Sequence, residues 1–396
     1  MTGTQQSVLI IVENLTVPID RRVWQEARTL LEAGYRVSVI CPKGKGFDRG
    51  RETLAGIEIY RHRLWEASGP LGYLIEYSWA LAAEFYLALK VYMRTRFRIL
   101  HACNPPDTIF LIGLFFKLFG VRFLFDHHDL NPELFEAKFR RRAGLFYRLI
   151  CLAERLTFQT AEVSIATNES YREVALTRGG MPPERVYIVR SCPDLQKIRL
   201  APEQPHLKHG KTFLVVYLGV MGPQDGLDLL LESIDFIVND RSRRDISFVL
   251  IGAGTELPKL QRLVAGMGLE SAVTFTGRIP DEEVAAYLST ADVGVAPDPS
   301  NPMNDKSTMN KILEYMAYGC AVVLYDLTEG RRSAGDAALY ARPNDPVDFG
   351  EQILRLLDSV TLRRDLGARG RQRIEGSLNW DNEKRALLAA YAAALR

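Results

Sequence analysis

The sequence predicts an α/β protein made of two doubly wound domains, each with a parallel sheet covered by helices on both faces. Short apolar runs typical of buried strands alternate with amphipathic helical patterns along most of the chain. This alternation stops between residues 194 and 211 and then starts again. A chain of 396 residues is long enough for two domains that each have a hydrophobic core.

The first domain is predicted to span residues 1–195. Apolar runs predict strands at 7–13, 36–41, 57–60, 99–102, 122–126, 163–166 and 185–189. Apolar residues spaced three or four apart predict helices at 21–33, about 73–95, 106–119, 141–160 and 168–178. Each helix then connects two strands, as parallel pairing requires.

The second domain is predicted to span residues 212–380, after a linker that contains Pro202 and Pro205. Its predicted strands are 213–218, 247–251, 273–275, 293–296 and 321–324. Its predicted helices are about 225–239, 256–266, 281–290, 307–318, 346–358 and 361–374. Residues 381–396 contain a last helix, rich in Ala and Leu, that is a candidate for packing back on the first domain.

Composition and charge exclude several classes of protein. A net charge of +2 gives no global indication of nucleic-acid binding. The segment 109–125 is apolar but is interrupted by Lys117 and Arg122, which favours a buried helix and a strand over a membrane span. The N-terminus lacks the features of a signal peptide. Scattered cysteines without metal-ligand spacing are typical of reduced core thiols, so we expect a cytoplasmic protein.

The predicted helix 307–318 combines an apolar side with a polar side. Ser307 or Thr308 can cap it, and its free backbone N–H groups suit a phosphate. Lys306 and Lys311 would add positive charge, and Glu314 could accept hydrogen bonds from ribose hydroxyls. The alternative is an ordinary surface helix with an ion pair between Lys311 and Glu314.

Four segments of the second domain, at 217–234, 248–263, 273–297 and 311–323, resemble the nucleotide-sugar half of a GT-B glycosyltransferase of retaining family 4. Segments 12–43 and 125–134 resemble the acceptor domain of members that assemble bacterial surface polysaccharides. The resemblance implies two Rossmann-like domains with an interdomain cleft. It also implies hexosyl transfer, with retention, from a nucleoside-diphosphate sugar to a polyprenyl-diphosphate-linked or other glycan acceptor, as in exopolysaccharide biosynthesis. No cofactor or metal is then required.

The resemblance implies donor contacts from three loops and one helix. Gly222 lies in the first loop, Gly252 and Gly254 lie in the second, and Arg278 follows the third strand, where the family grips the base. Glu314 matches the acid that holds the ribose in the family. The resemblance therefore implies that Glu314 is both a catalytic and a donor-binding residue. The alternatives are a tight turn for the two glycines and a solvated cation for Arg278.

Two departures from the family pattern concern charge. Lys306 stands eight residues before Glu314, where many members have a glutamate. The loop 219–226 carries no cation, although many members have an Arg and a Lys there. We expect Lys306, Lys311, Ser307, Thr308 and the helix N-terminus to stabilise the diphosphate instead, with Arg190 in reserve. The alternative is a weak or degenerate site.

In the first domain, the segment 126–129 (Asp-His-His-Asp) follows a buried strand. The resemblance implies that a histidine here faces the donor sugar, and His128, followed by Asp129, fits better than His127. The resemblance also places the acceptor beside the loop 13–22, whose candidate residues are Asp20, Arg21 and Arg22. The alternative is that Asp20 caps a helix ahead of two surface arginines.

The segment 135–158 is rich in arginine and aromatic residues, a composition that can lie on an anionic membrane surface. The alternative is a pair of domain helices with apolar core sides.

Two other classes of function are compatible with the same fold. The first is an epimerase, which would act on the donor without an acceptor, or a phosphorylase, which would need free phosphate or a cofactor. The second is a non-catalytic member that binds a nucleotide sugar or a partner.

Overall fold

The computed structural model describes residues 5–64, 70–139 and 144–396, and their side chains except those of 70–77 and 137–139. The chain forms two compact units. The first comprises Met1–Arg190 together with Glu383–Arg396, and the second comprises Ser191–Asn382. Among the described residues, no helix combines the length and the apolar character that a membrane crossing needs.

The first unit contains an eight-stranded sheet. Its elements are β1 (Ser7–Ile11), α1 (Arg21–Glu32), β2 (Arg36–Pro42), β3 (Arg51–Leu54), β4 (Ile57–His62), α2 (Pro70–Thr95), β5 (Ile99–Cys103), α3 (Phe110–Lys117), β6 (Arg122–His127), α4 (Asn131–Phe139), α5 (Leu145–Thr160), β7 (Val163–Ala166), α6 (Glu169–Thr177) and β8 (Val186–Ile188). The strand order is β3-β4-β2-β1-β5-β6-β7-β8, and the pairing is parallel except between β3 and β4.

Helices α2, α3 and α5 cover one face of this sheet. They bury Val91, Phe116 and Phe158 in one cluster with Phe123 and Phe125 of β6. Each buried aromatic ring removes a large apolar area from water, so this cluster supplies much of the driving force for folding of the first unit.

The second unit contains a six-stranded parallel sheet in the order β11-β10-β9-β12-β13-β14. Its elements are β9 (Phe213–Leu218), α7 (Leu227–Asp235), β10 (Ile246–Ile251), α8 (Leu257–Met267), β11 (Val273–Gly277), α9 (Asp281–Thr290), β12 (Val293–Ala296), α10 (Asn310–Ala317), β13 (Ala321–Tyr325), α11 (Thr328–Ala334), β14 (Ala338–Ala341), α12 (Pro346–Leu357), α13 (Val360–Gly376) and α14 (Trp380–Ala394), which continues into the first unit.

Alternate residues of β9 enter two different cores. Val215 packs in one cluster with Ile234 of α7, whereas Val216 packs in another with Ile312 of α10. Helices therefore cover both faces of the sheet, which is why β9 is an almost continuous apolar run. The predicted α/β class with two doubly wound sheets is confirmed.

Several element boundaries differ from the predictions. The helix predicted at 141–160 corresponds to α5, which begins at Leu145, and the helix predicted at 106–119 begins with a 3₁₀ turn, Asp107–Ile109. Helix α4 was not predicted. Strands β3 and β14 and helix α11 were not predicted. β3 is a short antiparallel edge strand, RETL, that carries almost no apolar signal.

Candidate functional site

Three glycine-containing loops meet at the carboxyl edge of the second sheet. Gly219 donates its N–H to the carbonyl of Ile251 at 3.0 Å, and Gly252 donates to Gly277 at 3.0 Å. A Cβ on Gly252 would lie 1.8 Å from the Gly219 oxygen, and one on Gly254 would lie 2.3 Å from the Met221 oxygen. The loops can pack this closely only because both positions lack a side chain.

The loop after β9 is held by its own polar groups. Gly222 is buried and donates its N–H to Asp225 Oδ2 at 2.9 Å. The side-chain amide of Asn304 donates to the Gln224 carbonyl at 3.0 Å, which ties this loop to the segment before α10. A loop fixed in this way presents its backbone groups in one arrangement.

Lys311 lies inside this set of loops, between two carboxylates. Its Nζ is 2.8 Å from Asp298 Oδ1 and 3.8 Å from Asp225 Oδ1, and it stands 4.8 Å from the ring centroid of Tyr217. The Lys311 side chain is only 9% exposed. Burial raises the pKa of Asp225, and the ammonium of Lys311 opposes that rise. Lys311 is therefore already paired, and a phosphate would have to share its three N–H donors with Asp298.

The segment before α10 differs from its prediction. Residues Asn304–Lys306 form a 3₁₀ turn, and α10 begins at Asn310 rather than 307. Met309 occupies the cap position without a side-chain hydrogen bond. The prediction that Ser307 or Thr308 caps the helix is therefore wrong. Ser307 does not cap the helix because its hydroxyl donates a hydrogen bond to the Met303 carbonyl at 2.8 Å and so closes the preceding turn.

In the first unit, Arg22 forms a buried ion pair with Asp126. Nη2 lies 2.8 Å from Oδ1, Nε donates to Oδ2 at 3.2 Å, and Nη1 donates to the Val189 carbonyl at 2.7 Å. The two side chains are 8% and 0% exposed. The alternative of two surface arginines is thus wrong for Arg22, whereas Arg21 is exposed and Asp20 caps α1 through the Val23 N–H at 2.9 Å.

Asp126 also binds two histidines. Its Oδ2 lies 2.7 Å from His128 Nε2 and 3.3 Å from His101 Nε2, and His101 Nδ1 lies 2.7 Å from the hydroxyl of Tyr391. Burial acts to raise the pKa of Asp126, but the charges of Arg22 and His128 hold it well below its usual range. Burial acts to lower the pKa of His128, but the Asp126 carboxylate raises it overall. Asp126 therefore favours the protonated, positively charged form of His128.

A second buried carboxyl, Glu26, lies beside this pair. Its Oε1 is 3.2 Å from Arg22 Nη2. Burial, followed by repulsion from Asp126, raises the pKa of Glu26 to about 8. Glu26 is consequently a neutral acid at pH 7 while Asp126 is ionised, so one guanidinium faces one carboxylate charge.

His127 and His128 have different surroundings. His127 is fully buried among the rings of Phe125, Phe158 and Tyr171, whose centroids lie 5.1 to 5.4 Å away. His128 keeps 11% of its side chain exposed. Of the two histidines, His128 is the one with exposed surface.

Asn104, which the sequence did not single out, fixes the backbone of His128 and Asp129. Its Oδ1 accepts from the N–H groups of His128 at 2.7 Å and Asp129 at 3.1 Å, and its Nδ2 donates to the Asp129 carbonyl at 2.7 Å. The available signal was its place directly after β5, beside β6, where polar residues at strand ends gather.

The same buried cluster is unsuited to a metal ion. Among the described residues, His101, Cys103 and Asp126 each offer a ligand atom within 4.8 Å of the others. Burial raises the pKa of the Cys103 thiol well above its ordinary value, and the Arg22 guanidinium is hydrogen-bonded to the same Asp126 carboxylate. A cation there would meet a neutral thiol and a fixed positive charge.

Comparison with known proteins identifies the family of both units. Residues 19–191 match the family described as "Glycosyl transferase 4-like domain", and residues 212–359 match "Glycosyl transferases group 1". The chain belongs to the family 4 glycosyltransferases of GT-B fold. The two matches divide at the boundary between the units, and together they cover most of this family 4 member.

Individual relatives are distant. The D-inositol 3-phosphate glycosyltransferase of Geodermatophilus obscurus is 27% identical over 62% of the chain and 54% of that protein. The O-antigen chain mannosyltransferase B of Escherichia coli is 28% identical over 52% of the chain and 51% of that protein. The matched region thus spans about half the length of these relatives. The fold of Anabaena Alr3699/HepE in complex with UDP-glucose aligns with a TM-score of 0.73 at 13% identity, over 98% of the chain and 100% of HepE.

The remaining predicted residues of this family 4 member have the following places. Lys306, Ser307, Thr308 and Glu314 are half-buried, and Arg278 is exposed. Arg190, the reserve cation, is ion-paired with Glu169 and lies 3.5 Å from Glu383. The positively charged residues at 138 and 140–142 lie outside the described side chains.

Proposed function

We propose that the protein transfers a hexose from a nucleoside-diphosphate sugar to a lipid-linked glycan or a similar surface-polysaccharide precursor, with retention and without a metal. The observation that carries this proposal is the match of both units, each in its own half of the chain, to glycosyltransferase families. The names of the relatives support a glycan acceptor, and the UDP-glucose complex of HepE supports the donor class.

The donor would bind at the carboxyl edge of the second sheet. The exposed backbone at Ala253 and Gly254 can approach a nucleotide closely because neither residue has a large side chain. Lys306, the N–H groups that open α10 and the remaining donors of Lys311 would stabilise the leaving diphosphate. Glu314 would accept hydrogen bonds from the ribose.

The first unit would supply the charge that faces the transferred sugar. His128, whose pKa the Asp126 carboxylate raises, would offer a ring N–H to an oxygen of that sugar, and Asp129 would lie beside it. Of the three residues proposed for the acceptor, Asp20 and Arg22 are committed to the α1 cap and the buried ion pair. Arg21, which is exposed, is the acceptor contact that we propose in the 13–22 loop.

A lipid-linked acceptor would place the reaction at the cytoplasmic surface of a membrane, so we propose that the protein associates peripherally with that surface.

A second candidate function is that of a non-catalytic member that binds a nucleotide sugar. The pairing of Lys311 with Asp298 favours that candidate, because it removes one of the cations expected for the diphosphate.

Thermal stabilisation by a panel of nucleoside diphosphates and nucleotide sugars tests the donor site. A ligand that binds only the folded state raises Tm by mass action. We expect one nucleotide class to stabilise the wild type and not Glu314→Ala, while Glu32→Ala, an exposed glutamate of the first unit, behaves as the wild type. If no ligand stabilises the wild type, the donor site is refuted.

Product analysis with the stabilising sugar donor then separates the functions. Transfer to a lipid-linked glycan, with the anomeric configuration of the donor and in the presence of EDTA, supports a retaining, metal-independent glycosyltransferase. Conversion of the donor without an acceptor would identify an epimerase, and binding without turnover would identify the non-catalytic member.

A further inference from the structure

Two neighbouring helices of the first unit expose leucine stripes to solvent. On α3 and α5 the exposed leucines recur at spacings of three, four and seven residues, so each set lies on one side of its helix. The set comprises Leu111 and Leu114 on α3, Leu118 at the C-cap of α3, and Leu145, Leu149 and Leu152 on α5. We call these six residues the α3–α5 face. Leu118 and Leu145 are 81% and 76% exposed, which is unusual for residues that normally fill cores.

The two stripes face the same side of the unit. Helix α3 packs against α5, and both bury their opposite sides in the sheet through Phe116 and Phe158. The sides that point away from the sheet are therefore next to each other. Clustered exposed leucines of this kind mark an interaction surface, because scattered apolar residues do not align along two helices.

An apolar groove continues the α3–α5 face towards α2. It has a volume of about 360 Å³ and is lined by Leu81 and Phe85 of α2 and by Leu111 and Phe115 of α3, among others. Leu111 belongs to both the groove and the face, so an apolar chain lying on the face could extend into the groove.

The exposed charged side chains described on α2, α3 and α5 have one sign. Among the described side chains of α2, α3 and α5, those that are both exposed and charged are basic: Lys90, Arg94, Arg148 and Arg155. The acidic side chains Glu84 and Glu154 are buried. An apolar surface bordered by basic residues matches a bilayer that has an apolar interior and anionic headgroups.

We propose that the α3–α5 face docks on the surface of an anionic phospholipid bilayer, with its leucines among the acyl chains and its basic residues at the headgroups. The inference rests on the proposed lipid-linked acceptor, to which such docking would give access. It extends membrane contact to α3, whereas the sequence pattern pointed to the segment 135–158, which includes most of α5.

Co-sedimentation with vesicles tests the docking. We expect the full chain to sediment with equimolar phosphatidylglycerol and phosphatidylcholine vesicles at low salt, and far less with pure phosphatidylcholine. The double variant Leu118→Glu, Leu149→Glu should weaken binding at least about tenfold, because each leucine contributes more than that factor when buried in an apolar phase. Val360→Glu, which changes a half-exposed valine of the second unit, should bind as the wild type.

Three results would overturn the proposal. The wild type could fail to sediment with anionic vesicles, or the double variant could sediment as well as the wild type. The wild type could also be a dimer that the double variant converts to a monomer, which would make a second copy the occupant of the face. Thermal stabilisation by the nucleotide panel, measured on the same variants, keeps this test separate from the donor site. Stabilisation without vesicle binding would refute docking by the α3–α5 face and leave the proposed donor site intact.

Discussion

Replacing Asp126 with Asn is expected to destabilise the first unit in a way that depends on pH. The substitution keeps the shape of the side chain and removes the carboxylate charge that pairs with Arg22, which is 8% exposed. Breaking a buried ion pair on one side costs about 3 to 5 kcal/mol. Glu26 then becomes the nearest carboxyl to the guanidinium, with Oε1 3.2 Å from Nη2.

The pH dependence follows from Glu26. Its pKa is about 8 in the folded wild type and about 4.3 in an unfolded chain. Its contribution to wild-type stability is therefore complete below the unfolded pKa and is lost as pH rises through the folded pKa, at up to about 1.4 kcal/mol per pH unit. In Asp126→Asn the repulsion from Asp126 disappears, so the Glu26 pKa falls, Glu26 ionises beside Arg22, and this slope flattens.

The His128 pKa, which Asp126 raises, acts in the same direction. Its contribution is present below the ordinary histidine pKa and is lost as pH rises through the folded pKa in the wild type only. Asp107, whose pKa burial raises to about 7, contributes equally to both proteins and cancels. The difference between variant and wild type should thus shrink from about 4 kcal/mol at pH 6 to about 2 kcal/mol at pH 8.

Hydrogen exchange of the α1 and β6 amides, combined with urea unfolding at pH 6 and pH 8, measures this difference. Glu32→Gln, which removes an exposed carboxylate near Arg28, is the control and should change stability by less than about 0.5 kcal/mol at either pH. An equal loss at pH 6 and pH 8, or a loss below about 1 kcal/mol at pH 6, would show that Glu26 is not the titrating partner of Arg22.

Three further predictions concern stability. Gly252→Ala places a Cβ 1.8 Å from a backbone oxygen and should lower the free energy of unfolding of the second unit in urea by at least about 3 kcal/mol. The control Gly266→Ala, in open space on α8, should raise it by about 0.5 to 1 kcal/mol. Equal effects of the two substitutions would contradict the packing of the loops. Lys311→Met leaves the carboxylate of Asp298, which is 2% exposed, without its cation and should lower the free energy of unfolding by about 3 kcal/mol. Adding Asp298→Asn should restore a large part of that stability. If the two substitutions lower stability additively, the ion pair is refuted. Tyr391→Phe removes the 2.7 Å hydrogen bond between the Tyr391 hydroxyl and His101 Nδ1, and should lower the free energy of unfolding by about 1 to 3 kcal/mol. Thermal unfolding measures this loss, and an unchanged Tm would contradict the hydrogen bond.

Strands that are apolar throughout could be predicted from the sequence, because burial on both faces of a sheet requires an uninterrupted run of apolar residues. The predicted ranges 163–166, 213–218 and 293–296 coincide with β7, β9 and β12. Strands at the edges of the sheets, β3 and β14, are short and less fully buried, so their pattern does not stand out. Helix starts were also poorly defined, because Ser307 could cap a helix or close a turn, and neighbouring residues decide which.

Side-chain partners were the part of the candidate site that the sequence could not supply. Arg22 and Asp126 are 104 residues apart in the chain, and nothing local to either one indicates the other. In isolation, Arg22 reads as a surface arginine after a helix cap. Lys311 likewise reads as a free cation until β12 brings Asp298 beside it.

The sequence by itself determined the α/β class, the order of most strands and helices, the glycine-rich loops and the family, because these depend on local spacing and on short motifs. The tertiary structure decided which charges are neutralised and which leucines remain in solvent. Those outcomes depend on contacts between distant segments and on the area left uncovered after packing, and neither quantity is a property of any single stretch of chain.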